Sequence, residues 1–392
     1  MSVPFFSPMN RDIKLVGLAL FLWGFGEGLF FYVQPLYIEQ LGATPVQIGG
    51  LLSIANVVRA ATYLPAGLLA DSVPRKWVMT GGWITGLLGV LLVGLARSWQ
   101  GLIPGLLIYA LSAYCIPVIN AYLAHAVGGR GLARAFTTVF AGFAAGGVIS
   151  PTIGGWLVEV TTMRTVYFVS ALLFAISTFA VVHVSPQPVP TRTEEDRRWH
   201  SLLNSGFLRF AAFTGLVFIA MYLAFPLAPN FLQDVGEWRV ARIGMLGSFQ
   251  ALGTALLNPL LGRLGDPDRG SGSEPKGPIG AAGGLVVGSG LVWGSALMLL
   301  VSRGFPMLAA AFLLRGAYQG CRSLTQARAT GLAGEADRGL LLGATETLIA
   351  IAQVVAPYVA GWLYAGNPTY PFLSSLLLIP GVLLLGIIGS RL

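Results

Sequence analysis

Pro65-Ala66-Gly67-Leu68-Leu69-Ala70-Asp71 ends an apolar stretch, and Leu260-Leu261-Gly262-Arg263-Leu264-Gly265-Asp266 ends another. Residues 47–71 align on residues 242–266 without a gap. Farther along, Ser150-Pro151-Thr152-Ile153-Gly154-Gly155-Trp156-Leu157 returns as Ala356-Pro357-Tyr358-Val359-Ala360-Gly361-Trp362-Leu363. Both matches are offset by about half of the 392 residues, so the chain is a duplicated unit. Each unit consists of apolar runs long enough to cross a bilayer, and duplicated sets of spans point to a transporter.

Composition agrees. Hydrophobic residues make up 55% of the chain and charged residues 10%, too few to cover a soluble protein of this length. Twelve spans are expected, at about 13–37, 46–70, 77–96, 101–124, 134–158, 164–184, 207–232, 240–262, 278–301, 305–328, 339–364 and 369–390. The fold class is therefore all-α and integral to the membrane, with two pseudo-symmetric six-helix bundles. Residues 1–12 are short and polar, and no cleavable leader is expected from them.

The formal charge of +8 is not a nucleic-acid footprint, because its distribution follows the spans. Arg97, Arg164, Arg239, Arg242 and Arg303 fall on one set of connections, and the other Lys and Arg of the connections and termini fall on the alternate set. That bias places both termini in the cytoplasm of a cell whose plasma (inner) membrane holds the protein. The expected partners are a small-molecule substrate and lipid, with the protein a monomer. Cys115 and Cys321 lie mid-span at equivalent repeat positions, as buried packing thiols. No metal-ligand spacing or cofactor motif stands out, and His125 and His183 sit near span ends.

The chain divides into a first bundle over 1–184, a polar cytoplasmic linker over 185–206 with Pro186, Pro188 and Pro190, and a second bundle over 207–392. The fifth span carries Gly142, Gly146 and Gly147 before Pro151, and the eleventh carries Gly343, Pro357 and Gly361. Small residues let helices approach closely and Pro kinks them. The pair reads as moving parts or as packing surfaces.

These residues resemble the major facilitator superfamily. Its Gly-x-x-x-Asp-x-x-x-Arg-Lys pattern between the second and third spans appears as Gly67, Asp71, Arg75 and Lys76, with a degenerate second copy at Gly262 and Asp266. The glycine–proline pattern of its antiporter branch appears as Gly146, Pro151, Gly154 and Gly155, with Ser150 replacing one glycine. The resemblance implies a conformational latch at the first motif, no cofactor, and a central cavity lined by helices 1, 4, 7 and 10. It also implies an arginine in helix 4, which is absent here. Helix 10 carries Arg315 and Arg322 instead.

A charge at the centre of a span costs roughly 2.5–3.5 kcal/mol on insertion scales, so each one is informative. Glu27 and Arg59 lie at matching depths on neighbouring helices and can pair. Arg322 and Glu346 lie at similar depths in helices 10 and 11 and can pair too. Glu27 is the leading proton- or cation-binding carboxylate, or else a structural partner of Arg59. Arg315 either holds an anionic group or is locked to a helix carbonyl. The remaining cavity candidates are Trp23, Tyr32, Gln34, Asn56, Tyr109, Tyr114, Asn120, Tyr222, Gln250, Tyr318, Gln319 and Gln353. Together they suit a medium-sized amphipathic solute. The expected function is secondary active transport by alternating access, as proton-coupled export. Uptake of an organic anion is the alternative, and a solute-sensing receptor or membrane-embedded enzyme ranks below both.

Overall fold

In the computed structural model the described residues are 11–126, 132–187, 205–265, 280–302, 304–331 and 338–389. Most of the expected linker, and Asp266 of the second motif copy, lie outside them. A backbone in hydrocarbon must satisfy its own hydrogen bonds, and here it does so as helices alone: no strand occurs among the described residues.

The first repeat contributes α1 (Arg11–Phe31), α2 (Gln34–Gln40), α3 (Pro45–Ser72), α4 (Arg75–Leu95), α5 (Trp99–Leu111), α6 (Cys115–Ala126), α7 (Leu132–Val160) and α8 (Met163–Val182). The second contributes α9 (Ser205–Tyr222), α10 (Ala228–Asp234), α11 (Val240–Gly265), α12 (Gly280–Val301), α13 (Phe305–Arg315), α14 (Ala317–Gly331), α15 (Arg338–Gly366) and α16 (Tyr370–Gly389). Among the described residues, eight helical segments are long and apolar enough to cross a membrane, and Leu208–Tyr222 and Tyr370–Leu385 are shorter apolar helices.

Four expected spans are interrupted: the first between α1 and α2, the fourth at a single 3-10 turn over Ser112–Tyr114, the seventh between α9 and α10, and the tenth at Gly316. With each interrupted pair joined, the helices follow the twelve expected spans in order. Local chemistry sets many of the boundaries. Pro35, Pro229 and Pro306 sit at the first turns of α2, α10 and α13, where a missing N–H costs nothing. The Ser98 and Thr162 side chains accept from the Gly101 and Thr165 amides at 3.2 and 3.3 Å, capping α5 and α8. Gly42, with φ +93°, ends the turn after α2 in a conformation that side chains disfavour.

Two compact units result. One comprises residues 1–32 and 58–193, the other 33–57 and 194–392. Residues 33–57 group by contact with 194–392 in the second unit. The reason is close helix packing. A Cβ on Gly49 of α3 would strike the Pro357 carbonyl of α15, and one on Gly361 of α15 would strike the Pro45 carbonyl.

In the first unit, α7 packs on α1 through a small-residue ridge. Gly146 faces the Phe21 carbonyl and Phe25 amide, Ser150 lies against Gly28, and Gly154 lies against the Leu29 backbone. Serine therefore serves in a glycine's place because its partner is itself a glycine. The α8 hydroxyls of Ser170 and Ser177 donate to the α1 carbonyls of Gly26 and Ala19 at 2.8 and 2.7 Å. Trp83 of α4 donates to the Ser177 hydroxyl at 2.7 Å and is fully buried. Cys115 rests against Gly82, and in the second unit Cys321 rests against Gly288, so one glycine–thiol contact occurs in both repeats. Both thiols are buried. Outward-facing Leu172, Phe179, Leu377 and Leu385 are exposed and suit contact with lipid.

Candidate functional site

The sequence puts a carboxylate, an arginine and aromatic groups near each other in the first repeat. The structure brings three of them together in the first unit. Glu27 is half-buried in α1, the Tyr109 hydroxyl of α5 is within hydrogen-bonding reach of its carboxylate, and Arg59 of α3 lies within electrostatic range. Among the described residues, Glu27 and Arg59 make no direct salt bridge. Arg59 Nε is buried and has no hydrogen-bond partner. The expected pair is thus an electrostatic neighbourhood rather than a closed contact.

Aromatic rings wall this neighbourhood. Trp23 stacks on Phe174 with centroids 4.0 Å apart and an interplanar angle of 7°. It lies edge-on to Trp83 at 5.3 Å and parallel to Tyr109 at 6.4 Å. Phe30 meets Tyr109 at 5.7 Å and Tyr167 at 4.7 Å. Gly86 and Gly26 make this possible: a Cβ on the former would collide with the Trp23 ring, and on the latter with the Phe174 ring. Phe30, Trp83, Tyr167 and Phe174 escape a reading of the sequence, because apolar aromatics in a span give no signal that separates packing from binding. Tyr114, in the 3-10 turn, is within hydrogen-bonding reach of Thr85, and Asn120 keeps a buried Oδ1 without a partner.

The second unit holds a counterpart. Tyr222 lies 5.4 Å from Phe225 and 5.6 Å from Tyr318. Gln353 of α15 donates to the Tyr318 hydroxyl at 3.4 Å, and Asn56 of α3 donates to the Gln353 carbonyl at 2.8 Å. Gln250 retains a buried Oε1 without a partner, Gln34 is buried in α2, and Gln319 points to the exposed side of α14. The Tyr32 hydroxyl is buried at the end of α1.

Arg322 and Glu346 form a forked ion pair between α14 and α15, with Arg322 Nε at 3.3 Å from Oε1 and Nη2 on Oε2. Gln326, one turn after Arg322, also donates to Glu346. About a third of each charged side chain is exposed.

Arg315 is different. It is 3% exposed, donates to the Ala224 carbonyl at 3.2 Å, and lies over the Phe225 ring at 3.7 Å and near the Phe312 ring at 5.2 Å. The neighbouring void, lined by Met221, Phe372 and Ser375, is about 10 Å³, the lower limit for one water.

Of the motif residues, Arg75 donates to the Ala121 carbonyl at 3.1 Å and to Gln187 Oε1 at 3.4 Å, which ties the start of α4 to the end of α6 and to the segment after α8. Asp12, Tyr122 and Ser185 extend this network, with Tyr122 donating to Asp12 at 3.2 Å. Lys76 lies 5.6 Å from the Trp77 ring centroid. Gly67 and Asp71 fall in the last turns of α3 and Gly262 in α11. No cluster of three or more metal-ligating side chains occurs among the described residues.

Two sets of duplicated spans define a kind of protein rather than a reaction. The sequence profile described as Major Facilitator Superfamily matches residues 16–294 and 210–389. The chain belongs to that superfamily. It is a multi-pass membrane transporter, not an enzyme. Multidrug resistance protein MdtG of Klebsiella pneumoniae (strain 342) is 28% identical over 278 residues, covering 66% of this chain and 67% of the relative. The protein of the same name from Salmonella arizonae is 29% identical over 277 residues, covering 66% and 68%. Among solved structures, a mutant of the nucleoside transporter NupG superposes with TM-score 0.78 at 15% identity, over 96% of this chain and 98% of that one. A bacterial homolog of the human lysosomal transporter Spinster, inward-facing and occupied, gives 0.75 at 15% identity, over 100% and 98%. At such identities the superfamily structures share the fold alone.

Proposed function

We propose that this superfamily transporter exports small amphipathic organic solutes in exchange for protons. The observation that carries the reading is Glu27, a half-buried carboxylate in a wall of Trp23, Phe174 and Tyr109 with Arg59 in electrostatic range. Such a group holds either a proton or the positive end of a solute, and that exclusion couples two opposite fluxes. Relatives named for multidrug resistance support the direction. In this reading bundles 1–184 and 207–392 alternate about the site, and the Gly67–Lys76 connection and its second copy act as the latch. A monomer in the cytoplasmic membrane with both termini inside is the expected arrangement.

The test uses inside-out vesicles containing the full chain. Wild type is expected to accumulate a cationic dye when a pH gradient is imposed, and Glu27→Gln to lose that dependence. Accumulation that ignores a collapsed gradient in both proteins would remove the proposal. Uptake of an organic anion near Arg315 and Arg59 is the alternative, and an anionic dye taken up by right-side-out vesicles would favour it.

A further inference from the structure

Residues 33–57 come from the first repeat yet pack in the second unit, and two kinds of contact hold them there. One is the backbone approach of α3 to α15 at Gly49 and Gly361, which contains no ionisable group. The other is polar and joins α2 to α10. Asn230 of α10, fully buried, donates through Nδ2 to Glu39 Oε2 of α2 and to the Pro35 carbonyl at 3.4 Å. Asp234, one turn on, is close enough to Glu39 for the two carboxylates to repel, and it accepts from the Tyr364 hydroxyl of α15 at 2.6 Å. No Lys or Arg pairs with either carboxylate among the described residues.

Contact and repulsion thus share one spot. The elements also correspond: α2 and α10 are the short outer pieces of interrupted spans, each of seven residues with Pro in the first turn. A neutral Glu39 still accepts from Asn230 through its carbonyl oxygen, and the repulsion from Asp234 disappears. A charged Glu39 keeps the hydrogen bond but is half-buried and faces the like charge of Asp234.

We propose that Glu39 and Asp234 form a proton-operated clasp, in which protonation of Glu39 holds α2 on α10 and its ionisation releases residues 33–57. The proposal deepens the proton-exchange reading and rests on it for its place in a cycle. Burial pushes the Glu39 carboxyl up from the usual carboxylate range, the Asn230 hydrogen bond opposes this, and the Asp234 charge adds to it. The held state therefore binds the proton more tightly than a released, solvated Glu39. Its extra stability is complete below the ordinary carboxylate range and is lost as pH rises through the raised value. The charge bias of the connections assigns this end to the outside, so external protons would close it and commit a proton-loaded carrier to the inside.

The experiment places spin labels at Gln40→Cys and Gln233→Cys, both exposed, in the full-length protein in lipid nanodiscs, with the buried native thiols left in place. Pulsed electron-spin distances are read from roughly pH 4 to roughly pH 8. The expected result is a short-distance population that declines about tenfold over that interval. Glu39→Gln should keep the short population at every pH, and Glu39→Asp should restore a titration. A wild-type distance indifferent to pH, or an unchanged titration in Glu39→Gln, overturns the clasp. Glu27→Gln separates the two ideas: it is expected to abolish proton-driven export while the distance still titrates. If Glu27→Gln removes the titration, the response belongs to the Glu27 site and the clasp falls. If distances titrate but export ignores the gradient, the clasp stands and the exchange reading fails.

Discussion

Gly154 of α7 lies so close to the Leu29 backbone of α1 that a Cβ there would overlap the Leu29 carbonyl. The glycine-rich motif of the fifth span is thus, in this protein, one side of a helix–helix seam. Gly154→Val must push the helices apart or distort one of them. We expect a loss of about 1–3 kcal/mol or more, read as a lower unfolding temperature in detergent. Gly147→Ala, where a Cβ meets nothing within 4 Å, is the control and should be neutral.

Tyr109→Phe removes the hydroxyl within reach of Glu27 while keeping the rings of Trp23, Phe30 and Phe174 in place. Transport is expected to survive with a displaced pH profile. Trp23→Ala removes the stacked wall itself and should weaken dye binding about tenfold, measured by fluorescence quenching. Equal dye affinity in both variants would separate the aromatic wall from the solute.

Arg322 and Glu346 should behave as a unit. Arg322→Gln leaves the Glu346 carboxylate with Gln326 as its donor, and Glu346→Gln takes the opposing charge from the Arg322 guanidinium. The double variant is expected to recover part of either loss, with a coupling of about 1 kcal/mol after allowing for exposure of a third of each side chain. Thermal unfolding of the four proteins measures it.

Arg315→Met is expected to destabilise by about 1–3 kcal/mol, because the Ala224 carbonyl loses its donor inside a packed core. It should leave the preference for cationic over anionic dyes unchanged. A gain of anion exclusion, read from competition between dyes, would return Arg315 to the binding site.

Arg75→Ala breaks contacts to both Ala121 and Gln187, whereas Lys76 meets only the edge of its own helix at Trp77. Arg75→Ala should therefore cost about 1–2 kcal/mol and Lys76→Ala almost nothing, although the two stand side by side in the motif. Unfolding temperatures of the two variants in detergent check it.

The architecture is legible in the sequence because its signals are additive along the chain: long apolar runs, alternating basic connections and two copies of each motif. The candidate site is legible only where a residue is costly at membrane depth. Glu27, Arg59, Arg322 and Glu346 stand out for that reason, and the forked pair between the last two follows from depth alone. Phe174 does not, since its ring meets Trp23 only because Gly26 leaves room for it and Gly86 leaves room for Trp23. Arg315 cannot be resolved from sequence either. Its partner is a main-chain oxygen at Ala224, and carbonyls carry no letter in a sequence. The attachment of residues 33–57 to the second unit escapes because Glu39 and Asn230 lie near the outer ends of their spans, where polar residues are ordinary.

Each native thiol presses on a glycine of the adjoining helix, at matching places in the two repeats. The buried thiols are therefore expected to react slowly with maleimides and mild oxidants. A single cysteine introduced on the surface is then expected to label far faster than either native thiol, so dye-labelled or cross-linked forms need no rewriting of the protein's interior.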